Sequence, residues 1–426
     1  MKMATYWYKT ALNGCEELIL DKKTLEKVKA AKFDLAYAHF ADLCSIGYIH
    51  AAKIPAWIWL IGGGMLDHVA IYLGIPSPPG YVPSYFSEYG DIMTFTERFK
   101  SFAVWLSSYI MIERLQNYPA TELFRKYFGK EFPMISDLAR RAPLAMINSN
   151  ELYELARPTL SKVINIGGLG MAYESAKNLT GEYRKIVSDA KGIIIFSLGT
   201  VTNASLMPDT WKKAFAEAFS QFPNYHFICR YPTQYPSPFT SANIHVFDWI
   251  PQRDLLHNSK TRVFVTHGGY NSIQEAINAG KPLLVLPIFA DQPRNANRVI
   301  RLGIGIAVRK NEISAEKIAR SLRSLLEDDR YTKAATRLSR MIKKKPLKPH
   351  ELLVKWSEFV AEFKELPNLT PYGASMNALT YHCLDVILSL LFAVILSMFI
   401  TYKAVRYLFS CFRKTLRTAL PKDKNE

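Results

Sequence analysis

The residues best suited to chemistry lie between positions 249 and 297. Thr266-His267-Gly268-Gly269 closes an apolar run that starts after Arg262, and Asn271, Ser272 and Glu275 follow at once. A buried strand that gives way directly to a helix leaves the first helical N–H groups exposed at the strand's carboxyl end. Ser272 and Glu275 have the three-residue spacing of a capping box, so Asn271 and Ser272 are expected to cap that helix. Two glycines let a ligand approach the backbone closely. The result is an anion site suited to a diphosphate. Trp249-Ile250-Pro251-Gln252 precedes it by one loop, and Phe289-Ala290-Asp291-Gln292 follows it by one strand, with Asn295 and Asn297 beyond. All three segments fall at strand ends that converge on one edge of a parallel sheet.

The elements that must position these residues read as two α/β halves. Lys32 to Gly62 alternates strand, helix and strand, the rhythm of a parallel βαβ unit. Pro76 to Tyr89 is a proline-rich loop, Thr94 to Gly129 is helical, and short strands at 144–150 and 163–168 close the first half. Gly167 to Lys191 is expected to be a linker. The second half opens on the apolar strand after Gly192 and offers four further strand candidates, separated mostly by helices, up to about Glu327, with helices continuing to about Lys364.

The segment from Trp249 to Gln292 resembles the signature of the UDP-glycosyltransferases, and more closely that of the membrane-bound animal group that includes the UDP-glucuronosyltransferases. Trp249, Pro251, Gln252, His267, Gly268, Gly269, Asn271, Ser272, Glu275, Asp291 and Gln292 carry the match. The likeness runs over nearly the whole chain, including Phe196 to Thr200 and Tyr381-His382. It implies an α/β fold with two Rossmann-like domains facing a cleft, the GT-B type, the N-terminal one incomplete, plus one C-terminal transmembrane helix. Residues 1–170 would be the acceptor-side domain and 190–364 the UDP-sugar donor-binding domain.

The resemblance also assigns roles. Trp249 would stack on uracil with Gln252 near the base or ribose, and Glu275 would hold the ribose hydroxyls. His267, Gly268, Gly269, Asn271 and Ser272 would form the diphosphate site, and Asp291 and Gln292 would bind the donor sugar's hydroxyls. Ser197 and Thr200 would lie on the opposite loop. The implied reaction transfers a sugar, with glucuronic acid favoured, to a hydroxyl of a small lipophilic acceptor with inversion. It needs no metal and no cofactor beyond the UDP-sugar co-substrate. Family members carry a catalytic histidine near the start of the N-terminal domain, oriented by an aspartate. By this resemblance the chain starts after that histidine, and His39 stands where the aspartate is expected, with Asp42 three residues further. His39 and Asp42 are the candidates for a base, neither is assigned, and the expectation is UDP binding with poor transfer. The alternatives are a partner-dependent nucleotide-sugar-binding membrane subunit and a UDP-glucosyltransferase.

Composition narrows the partners. Among 426 residues, 54 Lys and Arg oppose 37 Asp and Glu, for a net charge of +17. Neither basic cluster, Arg340 to Lys348 or Lys403 onward, is attached to a nucleic-acid motif, so nucleic acid is not expected. Leu384 to Tyr402 carries one charge, Asp385, and its length gives roughly 29 Å of helix, enough to cross a hydrocarbon core. The basic residues after it place residues 403–426 on the cytosolic side and the preceding domains in the lumen. Lys422 and Lys424 resemble a dilysine retrieval signal, which points to the endoplasmic-reticulum membrane, single-pass, with lipid as a partner. No apolar run of signal-peptide length opens the chain, which conflicts with a lumenal domain: either an upstream segment precedes Met1, or the chain inserts by its C-terminal span alone and faces the cytosol. Asn178, Asn203 and Asn368 begin glycosylation sequons. Five cysteines suggest neither a disulfide framework nor a zinc module. A homo-oligomer is left open.

Overall fold

The computed structural model describes residues 2–39, 43–171 and 176–419. It divides into two compact units, Met1–Thr370 and Pro371–Glu426. Two fully parallel sheets organise the first unit. One has four strands in the order β1 (Ala36–His39), β2 (Trp57–Ile61), β3 (Ala145–Ile147) and β4 (Val163–Asn165). The other contains β5 (Gly192–Ser197), β6 (Tyr225–Arg230), β7 (Ile244–Phe247), β8 (Thr261–Thr266), β9 (Leu283–Val285) and β10 (Gly305–Ala307). Its spatial order is β10-β9-β8-β5-β6-β7, so the direction of winding reverses between β5 and β8. That is the doubly wound arrangement, with its switch point at those two strands.

The second sheet forms because its strands are apolar on both faces. All six residues of β5 are buried, and Ile193 to Phe196 are fully so. Each such side chain contributes roughly 1.5–3 kcal/mol on leaving water. On one face Phe196, Phe215, Phe219 and Phe227 pack together; on the other Ile195, Phe264, Ile273 and Ile277 do.

Several expectations need correction. The stretch 167–191 is not simply a linker, because the helix Gly181–Asp189 inserts Ile186 and Val187 into the second core. A sixth strand, β10, adds to the five expected in the second half. The helix Pro349–Phe363 lies within the range assigned to the donor domain, yet it packs on the first sheet: Leu352, Leu353, Trp356 and Val360 cover Ile58, Met146 and Ile164. The first sheet's apolar face would otherwise stay open to water. The segment 2–31, which gave no strong sequence signal, forms the helices Lys2–Leu20 and Lys22–Ala31.

The cysteines also behave differently from expectation. Cys15 and Cys44, both buried, form a disulfide that ties the first helix to the helix Cys44–Ala51. Such bonds persist in oxidising compartments. In the second unit, the helix that carries the apolar stretch Leu384 to Tyr402 continues beyond it. The helix runs unbroken from Leu384 to Ala419, and Leu384–Thr415 is long and apolar enough to serve as a single-pass membrane anchor. Lys403, Arg406, Arg413 and Lys414 therefore lie on the same helix as the span.

The disulfide closes a loop of 29 residues. By chain entropy such a crosslink contributes about 3–4 kcal/mol. Replacing both Cys15 and Cys44 by serine should lower the unfolding free energy of the first unit by an amount of that order, seen as a lower midpoint in thermal denaturation. Intact-mass analysis after alkylation checks the pairing, and should show Cys15 and Cys44 protected until a reductant is added.

Candidate functional site

The switch point between β5 and β8 holds an open pocket of about 840 Å³. The end of β5 and the loop after it contribute Ser197, Gly199, Thr200 and Val201; the turn after β8 contributes His267 and Gly269, and the start of the following helix contributes Tyr270, Asn271 and Ser272. Trp249 to Asp254 close one side, and Glu275 reaches in from the helix Tyr270–Ala279. Nine residues singled out from sequence thus share one cavity: Ser197, Thr200, Trp249, Gln252, His267, Gly269, Asn271, Ser272 and Glu275.

The helix starts two to three residues earlier than expected and is capped differently. Gly269 is its N-cap, with no side-chain cap hydrogen bond, so Asn271 and Ser272 lie inside the first turn. Glu275 does not reach back to form a capping box. Its Oε2 accepts a hydrogen bond from Gln252 Nε2 instead. The first-turn N–H groups consequently face the pocket, with the positive end of the helix dipole behind them. Burial pushes the Glu275 carboxyl above its ordinary value, against the Gln252 hydrogen bond and the nearby Arg253.

The His267 ring is wedged between two glycines. A Cβ at Gly199 would come within 2.5 Å of its Cε1, and a Cβ at Gly269 within 2.5 Å of its Nε2. Gly199 also stands at φ 76°, a conformation that suits glycine. Burial lowers the imidazole pKa, an effect only partly offset by the Asp291 carboxylate, and so disfavours the charged ring.

Trp249 is not a core aromatic. It is 65% exposed, its carbonyl accepts from Tyr183 Oη at 2.8 Å, and the Arg230 guanidinium lies 4.7 Å over its ring. Arg230 also donates to the Gly199 carbonyl at 2.6 Å, so it bridges the Trp249 segment and the β5 loop. Sequence reasoning missed Arg230. Its signal was its place as the last residue of an apolar strand, β6, at the same sheet edge as the other loops. Lys177, Arg253, Asp254 and Tyr270 also line the pocket without having been singled out.

Three candidates for donor binding are not among the lining residues. Gly268 stands at φ 85°, and a Cβ there would meet Val285 Cγ1 at 2.7 Å, so the turn itself requires glycine. Gln292 is buried, and its Oε1 accepts from the N–H groups of Ile288 and Phe289 at 2.8 and 3.0 Å. That bond pins a loop in which Ala290 takes the left-handed φ of 56°. Asp291 is half-buried at the start of the helix Gln292–Arg301, with Oδ2 accepting from Asn295 Nδ2 at 2.7 Å. His39 is exposed at the carboxyl end of β1, paired in register with Leu60, and is not a lining residue of this pocket. Asp42 lies outside the described residues.

Two parallel sheets in an α/β chain, with an open crevice at the switch point of the second, match the GT-B fold. Solved structures agree: the glycotransferase of kitacinnamycin aligns over 82% of both chains with a TM-score of 0.55 at 16% identity. The forosaminyltransferase SpnP of spinosyn aligns over 82% of this chain and 83% of its own, with the same TM-score and identity. The family model described as UDP-glucoronosyl and UDP-glucosyl transferase matches residues 1–419, and the chain belongs to that family. A Caenorhabditis elegans protein named for UDP-glucuronosyltransferase activity, ugt-48, is 32% identical over 383 residues, covering 88% of this chain and 72% of its own. UDP-glucuronosyltransferase 1A8 of Rattus norvegicus is 31% identical over 418 residues, covering 94% and 74% respectively.

A hydrogen bond to a charged phosphate contributes about 1.5–3 kcal/mol. His267→Ala should weaken UDP binding by that amount in titration calorimetry. Gly199→Ala should do so too although the His267 side chain is retained, because the added methyl displaces the ring.

Proposed function

We propose that this chain transfers glucuronic acid from UDP-glucuronic acid to a hydroxyl of a small lipophilic acceptor, with inversion at the anomeric carbon. The observation that carries the reading is the single pocket at the β5/β8 switch point, which unites an exposed indole, a half-buried carboxylate and an uncapped helix N-terminus. Trp249 offers a flat face for uracil, and Glu275, already accepting one bond from Gln252, holds the ribose hydroxyls. The first-turn N–H groups of the Tyr270–Ala279 helix and the His267 N–H take the diphosphate. Asp291 acts on the donor sugar, and Gln292 pins the loop that carries it.

In the transfer step a base removes the acceptor's hydroxyl proton, and the oxygen attacks the anomeric carbon from the face opposite the diphosphate. The bond from that carbon to the phosphate oxygen breaks, and UDP leaves with the electron pair. Charge building on the diphosphate meets donors already fixed in place, which is where such stabilisation is most effective. His39, at the carboxyl end of β1, is the described candidate for the base.

The unit Met1–Thr370 is proposed to lie in the endoplasmic-reticulum lumen, anchored by the Leu384–Ala419 helix. The Cys15–Cys44 disulfide supports an oxidising compartment, and Asn178, Asn203 and Asn368 are all exposed, as glycan acceptors must be.

Membranes carrying the full chain, given a phenolic acceptor, should turn over UDP-glucuronic acid faster than UDP-glucose. His39→Ala should lower kcat without altering the Kd for UDP. Equal use of both donors would remove glucuronate preference. UDP binding without turnover of either would favour a donor-binding subunit over a transferase.

A further inference from the structure

The two loops that would hold the donor are tied together from behind by one side chain. Asn295 is 2% exposed; its Nδ2 donates to the Gly268 carbonyl at 3.0 Å and to Asp291 Oδ2 at 2.7 Å, and its Oδ1 accepts from Arg298 Nη1 at 3.2 Å. Its amide thus joins the turn after β8 to the acidic residue that opens the next helix. Arg298 is 1% exposed, and its Nη2 pairs with Glu154 Oε1. Glu154 belongs to the other half of the unit, 144 positions away in sequence. Ser149 Oγ donates to Glu154 Oε2 at 2.9 Å and accepts from Tyr270 Oη at 2.7 Å, and the Arg298 guanidinium lies 5.1 Å over the Tyr270 ring. Tyr270 is the first residue of the helix whose N-terminus faces the pocket. The contacts therefore close into a ring that runs from Glu154 through Arg298 and Asn295 to the glycine turn, and returns through Tyr270 and Ser149.

We propose that Glu154 is a positioning residue for the donor sugar, acting through Arg298 and Asn295 to fix the Asp291 carboxylate. This rests on the reading of Asp291 as a donor-sugar contact. A buried guanidinium holds one orientation only while its carboxylate remains. Arg298 fixes which way the Asn295 amide faces, and that amide fixes Asp291 Oδ2. Arg294, 3% exposed, also reaches Glu154 at 3.5 Å and stacks on Tyr85 at 5.0 Å, so the carboxylate is shared by two cations of the same helix. A residue remote in sequence from every motif of the pocket thereby sets how the sugar end is read, while Trp249, Gln252 and Glu275, which face the nucleoside, take no part in the ring.

The test is calorimetry with UDP and UDP-glucuronic acid on the full chain in detergent, for the parent, Glu154→Gln, Asp291→Asn and the double variant. Glu154→Gln should weaken UDP-glucuronic acid at least fivefold more than it weakens UDP, and the double variant should be no weaker than Asp291→Asn alone. Arg298→Lys keeps a cation opposite Glu154 but loses the fork that reaches Asn295, and should show the same selective loss if Glu154→Gln fails to fold. A selective Asp291→Asn with a non-selective Glu154→Gln, or additive losses in the double variant, would overturn the relay and leave the sugar contact standing. An Asp291→Asn that weakens both ligands equally would overturn the sugar contact itself, and the relay with it.

Discussion

The second sheet reverses its winding between β5 and β8, and everything functional in this chain depends on that reversal. Parallel strands wound in one direction send successive loops the same way over the sheet edge. Where the direction changes, the two loops part and a crevice has to open between them. The loop after β5 brings Gly199 and Thr200 to one side, and the loop after β8 brings His267 and Gly269 to the other. The fit is tight enough that the His267 ring fills the space where a Cβ on either glycine would stand. Small residues at 199 and 269 are thus a condition of placing an imidazole at the mouth of a helix.

The crevice alone does not determine where the third loop, Phe289 to Gln292, will sit. That loop is held by its own polar contacts: Gln292 Oε1 satisfies two backbone N–H groups and Asn295 fastens Asp291. Such contacts are strong because they are dry, and an unpaired partner would be costly there. The halves of the unit meet over the same helix. Glu154 lies against Arg298 and Arg294, and although burial opposes its charge, the two guanidiniums outweigh that and hold its carboxyl well below the usual range. Tyr153 Oη and the Gly168 N–H both donate to Gln274 Oε1, at 3.0 and 2.9 Å, adding a neutral contact on the neighbouring helix.

Much of this was legible in the sequence for a physical reason. Strands buried on both faces must be continuous apolar runs, so β5 and β8 announce themselves, and the glycines after β8 mark the turn. β10 has only three residues within a glycine-flanked stretch, too short for any periodicity to show. The cap assignment failed because Ser272 and Glu275 satisfy a spacing rule that the backbone does not use: the helix begins at Tyr270, and Glu275 finds Gln252 instead. Pairing of Cys15 with Cys44, packing of the Pro349–Phe363 helix on the first sheet, and the approach of Glu154 to Arg298 are all long-range events. No local pattern encodes them.

That difference separates two kinds of residue in this unit. Those that line the pocket lie within a turn or two of a strand end, because backbone geometry delivers them, and a short motif can describe them. Those that fix Asp291 are side chains that reach across the unit, from Ser149 and Glu154 to Tyr270, Arg298 and Asn295. A pocket assembled this way keeps its lining when the crossing contacts change, since the switch point and the helix N-terminus survive. The setting of Asp291 can vary independently, because the ring that holds it is closed by Glu154 and Ser149, which come from the other half of the unit. Within one fold, then, a constant pocket and an adjustable carboxylate follow from the same geometry.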